Sequence, residues 1–597
     1  MTVQERLKAL RKVMAEKGID AYIIPTDDYH ASETVGEYFK CRKYISGFTG
    51  SAGTVVVMQD KAGLWTDGRY FLQGAMQLEG SGIDLYKMGQ PGVPTIAEFL
   101  AEEIPENGVL GFDGRTVSIT DARTYIDAIS AKNAKLVYEC DLVGEIWEER
   151  PALPFSEAWL LPMGYAGESR ESKLVRVRRA IKEKGADAHV LTSLDDIAWI
   201  FNYRGYDIED SPVILAYAYI SEDKAIIFTD KEKFSPEARE VLEKSWIEFR
   251  EYNDIYEYVK TVSGKVLVDD EKVNYALIGN LEMNAEVIYD ENPSTLFKAI
   301  KNDTEIGHTR ETHVKCGTAL TKLIYWLKHK EIRGTVNEID VSKKLEELRH
   351  EQDGYLYPCF GTLSAYGKNA AIIHYWPTEE SNTTLEDKGL YLIDCGSTFM
   401  GGSTDVTRTI ALGELRDIEK EHYTAVLKGH LNLGSAVFPE GMRGVNLDAL
   451  ARRPIWDLGY DYKHGTGHGV GYMLNCHEGP NCIRPAFAPD RGHRGVLMEN
   501  MITSNEPGIY IEGSHGIRIE NLILCVKETK ETYEPMLRFE DLTLVPYERD
   551  AILPEKLTDE ELARVNAYHK RVYEIIAPGL TAEEREWLAE VTSEITR

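Results

Sequence analysis

The chain has 597 residues, with 98 acidic and 68 basic side chains and a formal net charge of −30 at pH 7. A chain of this length exceeds one hydrophobic core, and at about 150 residues per domain it should form three or four domains. The strong negative charge repels phosphate backbones, which excludes general nucleic-acid binding, so we expect no nucleic-acid partner.

The cysteine spacing and the lengths of the apolar runs predict the cellular location of the protein. Eight cysteines form no CxxC motif and no regular framework, which indicates reduced thiols and a cytoplasmic location. Cys476 and Cys482 bracket a histidine, so a metal or redox pair remains a minor alternative. The first residues, MTVQERLKALRKVM, predict an amphipathic helix rather than a secretory signal. No run approaches the roughly 18 apolar residues of a membrane helix, so we expect no membrane partner.

The N-terminal half contains one motif twice. The segment EKGIDAYIIPTDD matches EKGADAHVLTSLDD and aligns Asp20 with Asp187. Farther on, GLWTDGRYF and AIIFTDKEKF align Asp67 with Asp230. Each copy combines helices with buried strands, so the repeat predicts two duplicated α/β domains rather than a solenoid.

Prolines and turn residues indicate the domain boundaries. Pro151 and Pro154 interrupt any helix in PALPFSEAWLLP, and a second joint lies near ENPSTLFKAIKNDTEI. We therefore predict a first domain over residues 1–154, a second over 155–302 and a third over 303–597.

Capping signals predict helices in the third domain. The pairs of a capping residue and an acidic residue three positions later are Asn302–Glu305, Thr335–Glu338, Thr558–Glu561 and Thr581–Glu584. The first pair should open a long helix that ends near Lys328. The last two pairs lie in a predicted helical tail that follows Pro546.

Five side chains that can bind metal stand in apolar or glycine-rich stretches of the third domain, namely Asp394, Asp405, His468, Glu506 and Glu520. A buried charge is costly unless something positive compensates it. One alternative pairs the carboxylates with Arg408 and Arg518, but two arginines leave a surplus of negative charge. A pair of divalent metal ions is the simplest compensation, and mixed carboxylate and imidazole ligands favour manganese, iron, cobalt or zinc.

A predicted hairpin brings the first two carboxylates together. YLID and DVTRTI are typical of strands, and the loop between them contains Gly401 and Gly402. Asp394 should then come within about two residues of facing Asp405 across the hairpin.

A second predicted hairpin brings the two glutamates, Glu506 and Glu520, close together. ITSNEPGIYI and GIRIENLILC flank a turn between residues 513 and 516, so Glu506 should meet Glu520. His468 lies in HGTGHGVG, whose glycines permit close approach of the backbone. Together the five side chains predict a cage of mostly oxygen ligands.

This order of ligands, with HGTGHGVG, NEPGIY and GIRIEN, resembles that of the pita-bread metallopeptidases, and the details resemble the long, three-domain aminopeptidase P. DAYIIPTDDYHASE, SGFTGSAGTVVV and WTDGRYFLQ resemble its first domain, and LDDIAWIFNYRGYDIEDSPV resembles its second. NAAIIHYWPT, DCGSTFMGGSTDVTRT and NCHEGP resemble its third. The resemblance covers nearly the whole chain. It implies a mixed α/β and α+β protein with two creatinase-like α/β domains, then a pita-bread domain with a C-terminal helical extension.

The resemblance also implies a role for each of the five ligands. Asp394 binds one metal ion, Asp405 and Glu520 bridge both ions, and His468 and Glu506 complete the second. All five match the family's residue types, which excludes the creatinase variant that has lost its ligands. The implied cofactor is two divalent ions per subunit, manganese first, with cobalt and zinc as alternatives. A homodimer through the catalytic half is implied as well.

Five further residues match family positions near the substrate. His374 in IIHYWP, His464 in HGTGH and His477 in CHEGP match histidines that bind substrate or move protons. Arg518 in GIRIEN stands two residues before Glu520, so it should share that strand face. It is expected to orient the carboxylates and to contribute to substrate binding. Arg69 in WTDGRYF matches an arginine that reaches the peptide from the first domain, although the residues alone leave it an ordinary salt-bridge arginine.

The implied activity is hydrolysis of the bond between the first residue of a peptide and a penultimate proline. The resemblance assigns the attack to a hydroxide bridged by the two metal ions. Glu506 would take its proton, His374 or His477 would stabilise the oxyanion, and His464 would relay protons. Proline preference comes from the resemblance alone. Two alternatives remain: a prolidase, which takes Xaa-Pro dipeptides, and a non-catalytic pita-bread binding module.

Overall fold

The computed structural model of this protein describes residues 1–486 and 494–597. The chain divides into two compact units, of which the first comprises residues 1–162 and 168–294. The second comprises residues 163–167 and 295–597. The boundaries at residues 154 and 302 stay predictions.

The first unit contains two six-stranded sheets. In chain order the strands of the first sheet are Ala21–Pro25, Thr54–Met58, Ala62–Thr66, Asp84–Lys87, Val109–Phe112 and Lys135–Val137. Across the sheet they run fourth, third, second, first, fifth and sixth. The α-helices of this part are Val3–Lys17, Cys41–Ser46, Phe71–Gln77, Ile96–Glu103, Ile119–Ser130 and Leu142–Ile146.

The second sheet repeats the strand order of the first. Its strands are Ala188–Leu191, Tyr217–Ser221, Ala225–Phe228, Glu248–Arg250, Gly264–Val268 and Ala285–Tyr289. The accompanying α-helices are Arg170–Glu183, Leu194–Phe201, Pro236–Lys244, Ile255–Tyr258, Tyr275–Leu281 and Pro293–Ala299. A short pair, Trp159–Leu160 with Tyr203–Arg204, lies outside the sheet. The predicted internal repeat is therefore confirmed.

The aligned aspartates of the repeat have the same structural role. The Asp20 carboxylate accepts the backbone N–H of Val109 at 2.8 Å, and the Asp187 carboxylate accepts that of Lys265 at 2.8 Å. Each aspartate precedes the first strand of its sheet and bonds the fifth. The repeated residue thus joins two neighbouring parallel strands at the same corner of both domains.

The predicted long helix of the second unit is present at Asp303–Lys328, and Asn302 with Glu305 forms its capping box. The other α-helices of this unit are Met163–Ala166, Glu338–His350, Asp417–Gly434, Asp448–Trp456, Asp559–Ile576 and Ala582–Val591. The predicted capping boxes of the last two helices are confirmed. Within the residues described, no helix has the length and hydropathy that crossing a membrane requires.

The predicted capping box of Thr335 and Glu338 is wrong. The helix begins at Glu338 and is capped by Asn337, with Asp340 completing the box. Asn caps a helix at least as well as Thr, so two overlapping signals competed. The Glu338 carboxylate is buried and accepts a hydrogen bond from the backbone N–H of Tyr366 at 2.6 Å. It therefore does not serve in a capping box with Thr335.

Two small sheets and two strand pairs form the remainder of the second unit. One sheet consists of Tyr355–Tyr357, Leu363–Tyr366, Leu390–Phe399 and Gly402–Ala411, and the other of Val437–Pro439, Ile502–Asn505, Asn521–Lys527 and Met536–Asp541. The pairs are Gly467–His468 with Cys482–Ile483, and Gly508–Ile511 with His515–Arg518.

The core of this unit determines which way the central hairpin faces. Tyr391, Ile393 and Val406 pack in one apolar cluster together with residues of the helix Asp303–Lys328. Side chains alternate between the two faces of a strand. Asp394 and its neighbours of the same parity therefore face away from that helix.

Candidate active site

Asp394 and Asp405 lie on one face of the central hairpin. Strand Leu390–Phe399 pairs with Gly402–Ala411 so that Thr407 stands opposite Asp394 and Gly396 opposite Asp405. The predicted hairpin and its offset of about two residues are confirmed. Both carboxylates are buried, which makes an uncompensated charge expensive.

Arg408 lies on the opposite face of this hairpin. Its guanidinium donates to the backbone carbonyls of Glu520 at 2.7 Å and Val545 at 2.8 Å, and to the Tyr568 hydroxyl at 2.9 Å. Strand alternation turns the Arg408 side chain away from Asp405. Arg408 instead links the hairpin to the C-terminal helix that contains Tyr568. The alternative that paired Arg408 with the acidic cluster is wrong.

Glu506 and Glu520 face each other in the second hairpin. The flanking cross-strand pairs are Asn505–Asn521 and Gly508–Arg518. These pairs share one register, which puts Glu506 opposite Glu520 as predicted. The ladder is interrupted there, because Pro507 has no N–H to continue it. The interruption leaves both glutamates at a break between two short ribbons.

Close backbone packing brings His468 to the carboxylates. A Cβ on Gly467 would lie 1.9 Å from the carbonyl oxygen of Ser504, so any other residue there would push the two segments apart. The His468 N–H also donates to the Ser504 hydroxyl at 2.9 Å. The glycine predicted to permit close approach is therefore required by the packing.

The His468 ring presents one nitrogen to the acidic cluster. Nδ1 lies 2.9 Å from the Gly469 carbonyl oxygen, which can only accept, so in the neutral ring Nδ1 carries the proton. Nε2 lies 3.4 Å from Asp405 Oδ2 and 3.5 Å from Glu506 Oε1. Asp405, His468 and Glu520 each offer a ligand atom within 4.8 Å of the others. This grouping can hold a metal ion.

Arg518 and Thr407 order the other half of the cluster. Arg518 Nη2 donates to Asp394 Oδ2 at 2.6 Å, and its Nε donates to Thr407 Oγ1 at 3.1 Å. Thr407 in turn donates to Glu520 Oε2 at 2.8 Å. Sequence analysis did not single out Thr407, although its place two residues after Asp405 puts it on the same strand face.

The surroundings of Asp394 Oδ1 indicate whether these residues fit a metal ion. Asp394 Oδ1 is buried and has no hydrogen-bond partner among the residues that the structure describes. A buried carboxylate oxygen with no donor is costly, and a metal ion would satisfy it. The donor set therefore fits a divalent cation.

The two glutamates carry the least compensated charge of the cluster. Burial, together with the charges of Asp405, Glu506 and Asp394, raises the pKa of Glu520 well above its ordinary value. Burial also raises the pKa of Glu506 to about 6, although the positive charge of His468 opposes this shift. The cluster thus tends to bind protons when no cation is present.

The two aspartates differ because their partners differ. Burial raises the pKa of Asp394, and the neighbouring Arg518 opposes the shift. Burial alone would also raise the pKa of Asp405, but the hydrogen bond and charge of His468 hold it below its ordinary value. Asp405 is therefore the most readily ionised carboxylate of the four.

The three predicted histidines each lie beside a different part of the site. His464 Nδ1 lies 3.8 Å from Glu506 Oε2, and its Nε2 lies 2.9 Å from the Tyr510 hydroxyl. The exposed His477 ring meets that of His468 edge-on at an angle of 70°, with 4.1 Å between centroids. His374 is half-buried and follows Ile373, whose carbonyl oxygen lies 3.5 Å from Arg518 Nη1.

Family comparisons cover almost the whole chain. The family described as metallopeptidase family M24 matches residues 307–527, and its C-terminal region matches residues 535–595. The creatinase/prolidase N-terminal domain matches twice, at residues 6–143 and 149–305.

Two relatives of known name match over most of their length and nearly all of this chain. Aminopeptidase P2 of Arabidopsis thaliana is 40% identical over 98% of this chain and 88% of its own length. This chain belongs to the aminopeptidase P family. A probable Xaa-Pro aminopeptidase P of Pyricularia oryzae is 38% identical over 96% of both chains. The resemblance inferred from the motifs is thereby confirmed.

Solved structures agree with this aminopeptidase P assignment. The X-prolyl aminopeptidase of Caenorhabditis elegans, described as a cytosolic enzyme with a di-nuclear active site, is 34% identical and covers 100% of both chains with a TM-score of 0.94. A Xaa-Pro dipeptidase of Bacillus anthracis is 27% identical with a TM-score of 0.51 and covers 64% of this chain. The predicted fold class, with two creatinase-like domains before a pita-bread domain, is confirmed.

Arg69 has a local partner in this aminopeptidase P family member. Its Nε and Nη2 donate to the two carboxylate oxygens of Asp67, each at 2.8 Å. The same arrangement recurs two strands later, where Arg115 donates to Asp113. The salt bridge that the residues alone suggested is present, and a role of Arg69 in substrate binding stays a prediction.

Two contacts beside the ligands were missed by sequence analysis. Cys476 Sγ donates to Asp405 Oδ2 at 3.2 Å. Lys301 Nζ lies 2.6 Å from Glu478 Oε1, with both side chains 1% exposed. Neither pair follows a periodic pattern, because the partners come from segments far apart in the chain.

The metal-free protein should lose stability as the pH rises from 5 to 7. The pKa of Glu506 is about 6 in the folded chain against an ordinary value of 4.5, so the folded state binds more protons between these values. This contribution is fully present below pH 4.5 and is lost as the pH passes 6. A shift of this size corresponds to about 2 kcal/mol.

Thermal unfolding in EDTA at pH 5 and pH 7 measures this effect. Other groups also titrate, so the wild type is compared with Glu506→Gln, whose Tm should fall less over the interval. Glu512→Gln, at an exposed position in the turn of the same hairpin, is the matched control and should behave like the wild type. Equal pH dependence in all three proteins would contradict the assignment.

Proposed function

We propose that this protein is a metal-dependent Xaa-Pro aminopeptidase, which hydrolyses the bond between the first residue of a peptide and a penultimate proline. The observation that carries the proposal is that Asp405, His468 and Glu520 come close enough together to hold a metal ion. Asp394 lies on the same face of the hairpin as Asp405, and its buried Oδ1 has no hydrogen-bond partner among the residues described. The preference for proline rests on the names of the full-length relatives.

We assign two divalent ions to Asp394, Asp405, His468, Glu506 and Glu520. The di-nuclear active site named for the Caenorhabditis elegans enzyme supports the number. Manganese is proposed first, with cobalt and zinc as alternatives that carboxylate and imidazole ligands also accept. When bound, such ions act as Lewis acids and lower the pKa of water toward about 7.

Glu506 is the proposed proton acceptor. Its Oε1 lies 3.5 Å from His468 Nε2, so the carboxylate stands beside the place where a metal-activated water would be held. The Ser504 hydroxyl donates to Glu506 Oε1 at 3.0 Å and holds the carboxylate in one orientation. His464 is proposed to relay protons through Nε2, which lies 2.9 Å from the Tyr510 hydroxyl, because its Nδ1 lies 2.7 Å from the Gly465 carbonyl oxygen and carries the proton of the neutral ring.

His477 and His374 are proposed to bind the scissile carbonyl oxygen and stabilise the developing oxyanion. His477 is exposed and lies against His468, so it can contact a peptide beside the ligands. Arg518 is proposed to act indirectly, since its hydrogen bonds to Asp394 and to the Tyr510 hydroxyl fix the wall of the site. A Pro imide bond lacks an N–H, so recognition must use such contacts to the carbonyl.

The prolidase alternative shares the catalytic domain but differs in substrate length. The Bacillus anthracis dipeptidase covers 64% of this chain, whereas the Caenorhabditis elegans aminopeptidase covers all of it. Hydrolysis of Arg-Pro-Pro is therefore expected alongside, or in preference to, Xaa-Pro dipeptides. Activity confined to dipeptides would favour the prolidase.

Removal of metal separates an enzyme from a non-catalytic binding module. Dialysis against EDTA should reduce hydrolysis of Arg-Pro-Pro to background, and manganese should restore it, because the proposed nucleophile is a water whose pKa the bound ions lower. Reconstitution in parallel with cobalt and zinc ranks the ions. Unchanged hydrolysis in verified metal-free protein would contradict the proposed site.

We also propose a cytosolic homodimer. The Caenorhabditis elegans enzyme is described as cytosolic, and the family resemblance supplies the dimer. Light scattering after size-exclusion chromatography should give twice the chain mass of 67.5 kDa. A mass of one chain at micromolar concentration would contradict the dimer.

A further inference from the structure

Arg452 is a buried arginine of the helix Asp448–Trp456 that contacts the segment carrying His464. Its side chain is 1% exposed. Nη1 donates to the Tyr462 carbonyl oxygen at 2.7 Å, and Nη2 donates to the His464 carbonyl oxygen at 2.8 Å. Nε donates to Asp448 Oδ2 at 2.7 Å, one helical turn earlier. The guanidinium therefore ties the backbone at residues 462 and 464 to this helix.

Ring contacts extend this hold to the side chain of His464. The guanidinium carbon of Arg452 lies 3.8 Å from the centroid of the Tyr462 ring, which is close enough for a cation–π interaction. The Tyr462 ring in turn lies beside the His464 ring, with 4.8 Å between centroids and 37° between planes. Arg452 thus constrains His464 through its carbonyl group and, by way of Tyr462, through its ring.

Asp448 holds the far end of the same segment. Its Oδ2 is bound by Arg452, and its Oδ1 accepts a hydrogen bond from the Thr466 hydroxyl at 2.5 Å. That hydroxyl has one proton, so the Tyr462 hydroxyl, 2.6 Å away, donates to Thr466 Oγ1. The Asp448 side chain is 3% exposed. His464 therefore lies between two anchored positions, residues 462 and 466.

Arg452 has little capacity left to bind a substrate. An arginine side chain carries five N–H donors. Asp448, Tyr462 and His464 take three of them, and Asp461 Oδ1 accepts a fourth from Nη1 at 2.8 Å. Because these donors are used within the chain and the side chain is buried, Arg452 supports its neighbours rather than touching a peptide.

The position of His464 is narrowly defined. Its Nε2 lies 2.9 Å from the Tyr510 hydroxyl and its Nδ1 lies 2.7 Å from the Gly465 carbonyl oxygen, with the side chain 7% exposed. A displacement of about 1 Å can lower a rate by about 100-fold. The proposed ligand His468 is fixed separately, because its N–H donates to the Ser504 hydroxyl at 2.9 Å.

We propose that Arg452 is a positioning residue that holds His464 in the place where it relays protons. The effect on turnover rests on the proposed function, whereas the effect on the backbone of residues 462–466 does not. The planar fork of arginine serves several acceptors at once, which the single ammonium group of lysine cannot reproduce. Arg452→Lys should therefore retain only part of the function.

Steady-state kinetics with Arg-Pro-Pro at saturating manganese is the first test. Arg452→Met should lower kcat by about 100-fold and change KM by less than about threefold, because it displaces a group of the chemical step rather than a substrate contact. Arg452→Lys should give a kcat between those of the Met variant and the wild type. Bound manganese should stay at the wild-type content. A raised KM with unchanged kcat, or loss of the metal, would overturn the proposal.

A double-mutant cycle tests whether Arg452 acts through His464. In a His464→Ala background, Arg452→Met should lower kcat by less than about threefold, because the group that it positions is gone. A loss of about 100-fold in both backgrounds would assign Arg452 to general support and contradict the proposal. Wild-type turnover of His464→Ala would contradict it as well.

Hydrogen exchange in the metal-free protein gives a readout that needs no activity. Peptides covering residues 462–466 should exchange at least about tenfold faster in Arg452→Met, while the rest of the second unit exchanges as in the wild type. Faster exchange throughout the second unit would show general destabilisation and would refute a local role. If Arg452→Met does not fold, Arg452→Lys replaces it in every measurement.

Lys463→Met is the matched control. Lys463 lies in the same segment, and its Nζ is 3.7 Å from Asp461 Oδ2 with the lysine side chain 63% exposed. Exposed pairs of this kind contribute little, so the variant should match the wild type in turnover and exchange. If none of these proteins hydrolyses an Xaa-Pro peptide, the proposed function fails, while hydrogen exchange still decides whether Arg452 holds the segment.

Discussion

Replacing Glu506 by Gln is expected to lower kcat for Arg-Pro-Pro by about a thousandfold or more, because the amide cannot accept a proton. A positioned general base contributes roughly 100-fold to 10,000-fold, and the change also removes a charged metal ligand. Glu506 stands at a break between two ribbons, so the nearly isosteric substitution should leave the fold intact. Steady-state kinetics with saturating manganese, together with circular dichroism, measures both parts.

Two comparisons make the Glu506 result specific. Glu512→Gln changes an exposed glutamate in the turn of the same hairpin and should retain normal turnover. Metal content separates the two roles, since lost turnover with both ions still bound would assign Glu506 to proton transfer alone. Near-normal activity of Glu506→Gln would exclude both roles.

Replacing Lys301 by Met is expected to destabilise the protein by about 3–5 kcal/mol, because the change removes the buried cation that faces the buried Glu478 carboxylate. Lys301 Nζ lies 2.6 Å from Glu478 Oε1, and each side chain is only 1% exposed. Lys301 also donates to the Lys298 carbonyl oxygen at 2.7 Å. The free energy of unfolding in urea, followed by tryptophan fluorescence, measures the loss.

A double variant separates the buried charge from the lost packing. Lys301→Met with Glu478→Gln should recover part of the stability, since the neutral amide needs no counter-charge. Lys570→Met is the control, because its pair with Glu574 has side chains 76% and 60% exposed, and exposed pairs contribute at most about 1 kcal/mol. A loss for Lys301→Met no larger than for Lys570→Met would show that the ion pair is dispensable.

The same pair links stability to the site. Glu478 follows His477, and its N–H donates to the Gly469 carbonyl oxygen at 2.8 Å. Lys301 therefore anchors the segment that carries both His477 and Cys476 to the start of the second unit. We expect KM for Arg-Pro-Pro to rise in Lys301→Met even at temperatures where the variant is folded.

Several features follow from short-range rules that the residues obey by themselves. The ligand pairs could be predicted because strand alternation and hairpin register are local, so Gly401 and Gly513 placed Asp394 near Asp405 and Glu506 near Glu520. The repeated sheets could be predicted because the duplicated segments still carry the same corner aspartates. Capping boxes could be predicted because they depend on residues three positions apart. The exception is the helix at Glu338, where Asn337 rather than Thr335, two residues earlier, is the cap.

Other features required the folded chain. Arg408 lies three residues after Asp405, so alternation puts it on the opposite strand face, whereas Arg518 lies two residues before Glu520 and shares its face. Only the folded chain shows that Arg408 bonds the distant carbonyls of Glu520 and Val545 and that Arg518 bonds Asp394. The contact of Lys301 with Glu478 joins segments more than a hundred residues apart. Local patterns state which face a side chain occupies, but which distant side chain meets it depends on how sheets and loops pack. The metal ligands could therefore be predicted from the sequence, whereas the side chains that hydrogen-bond to them depend on tertiary packing.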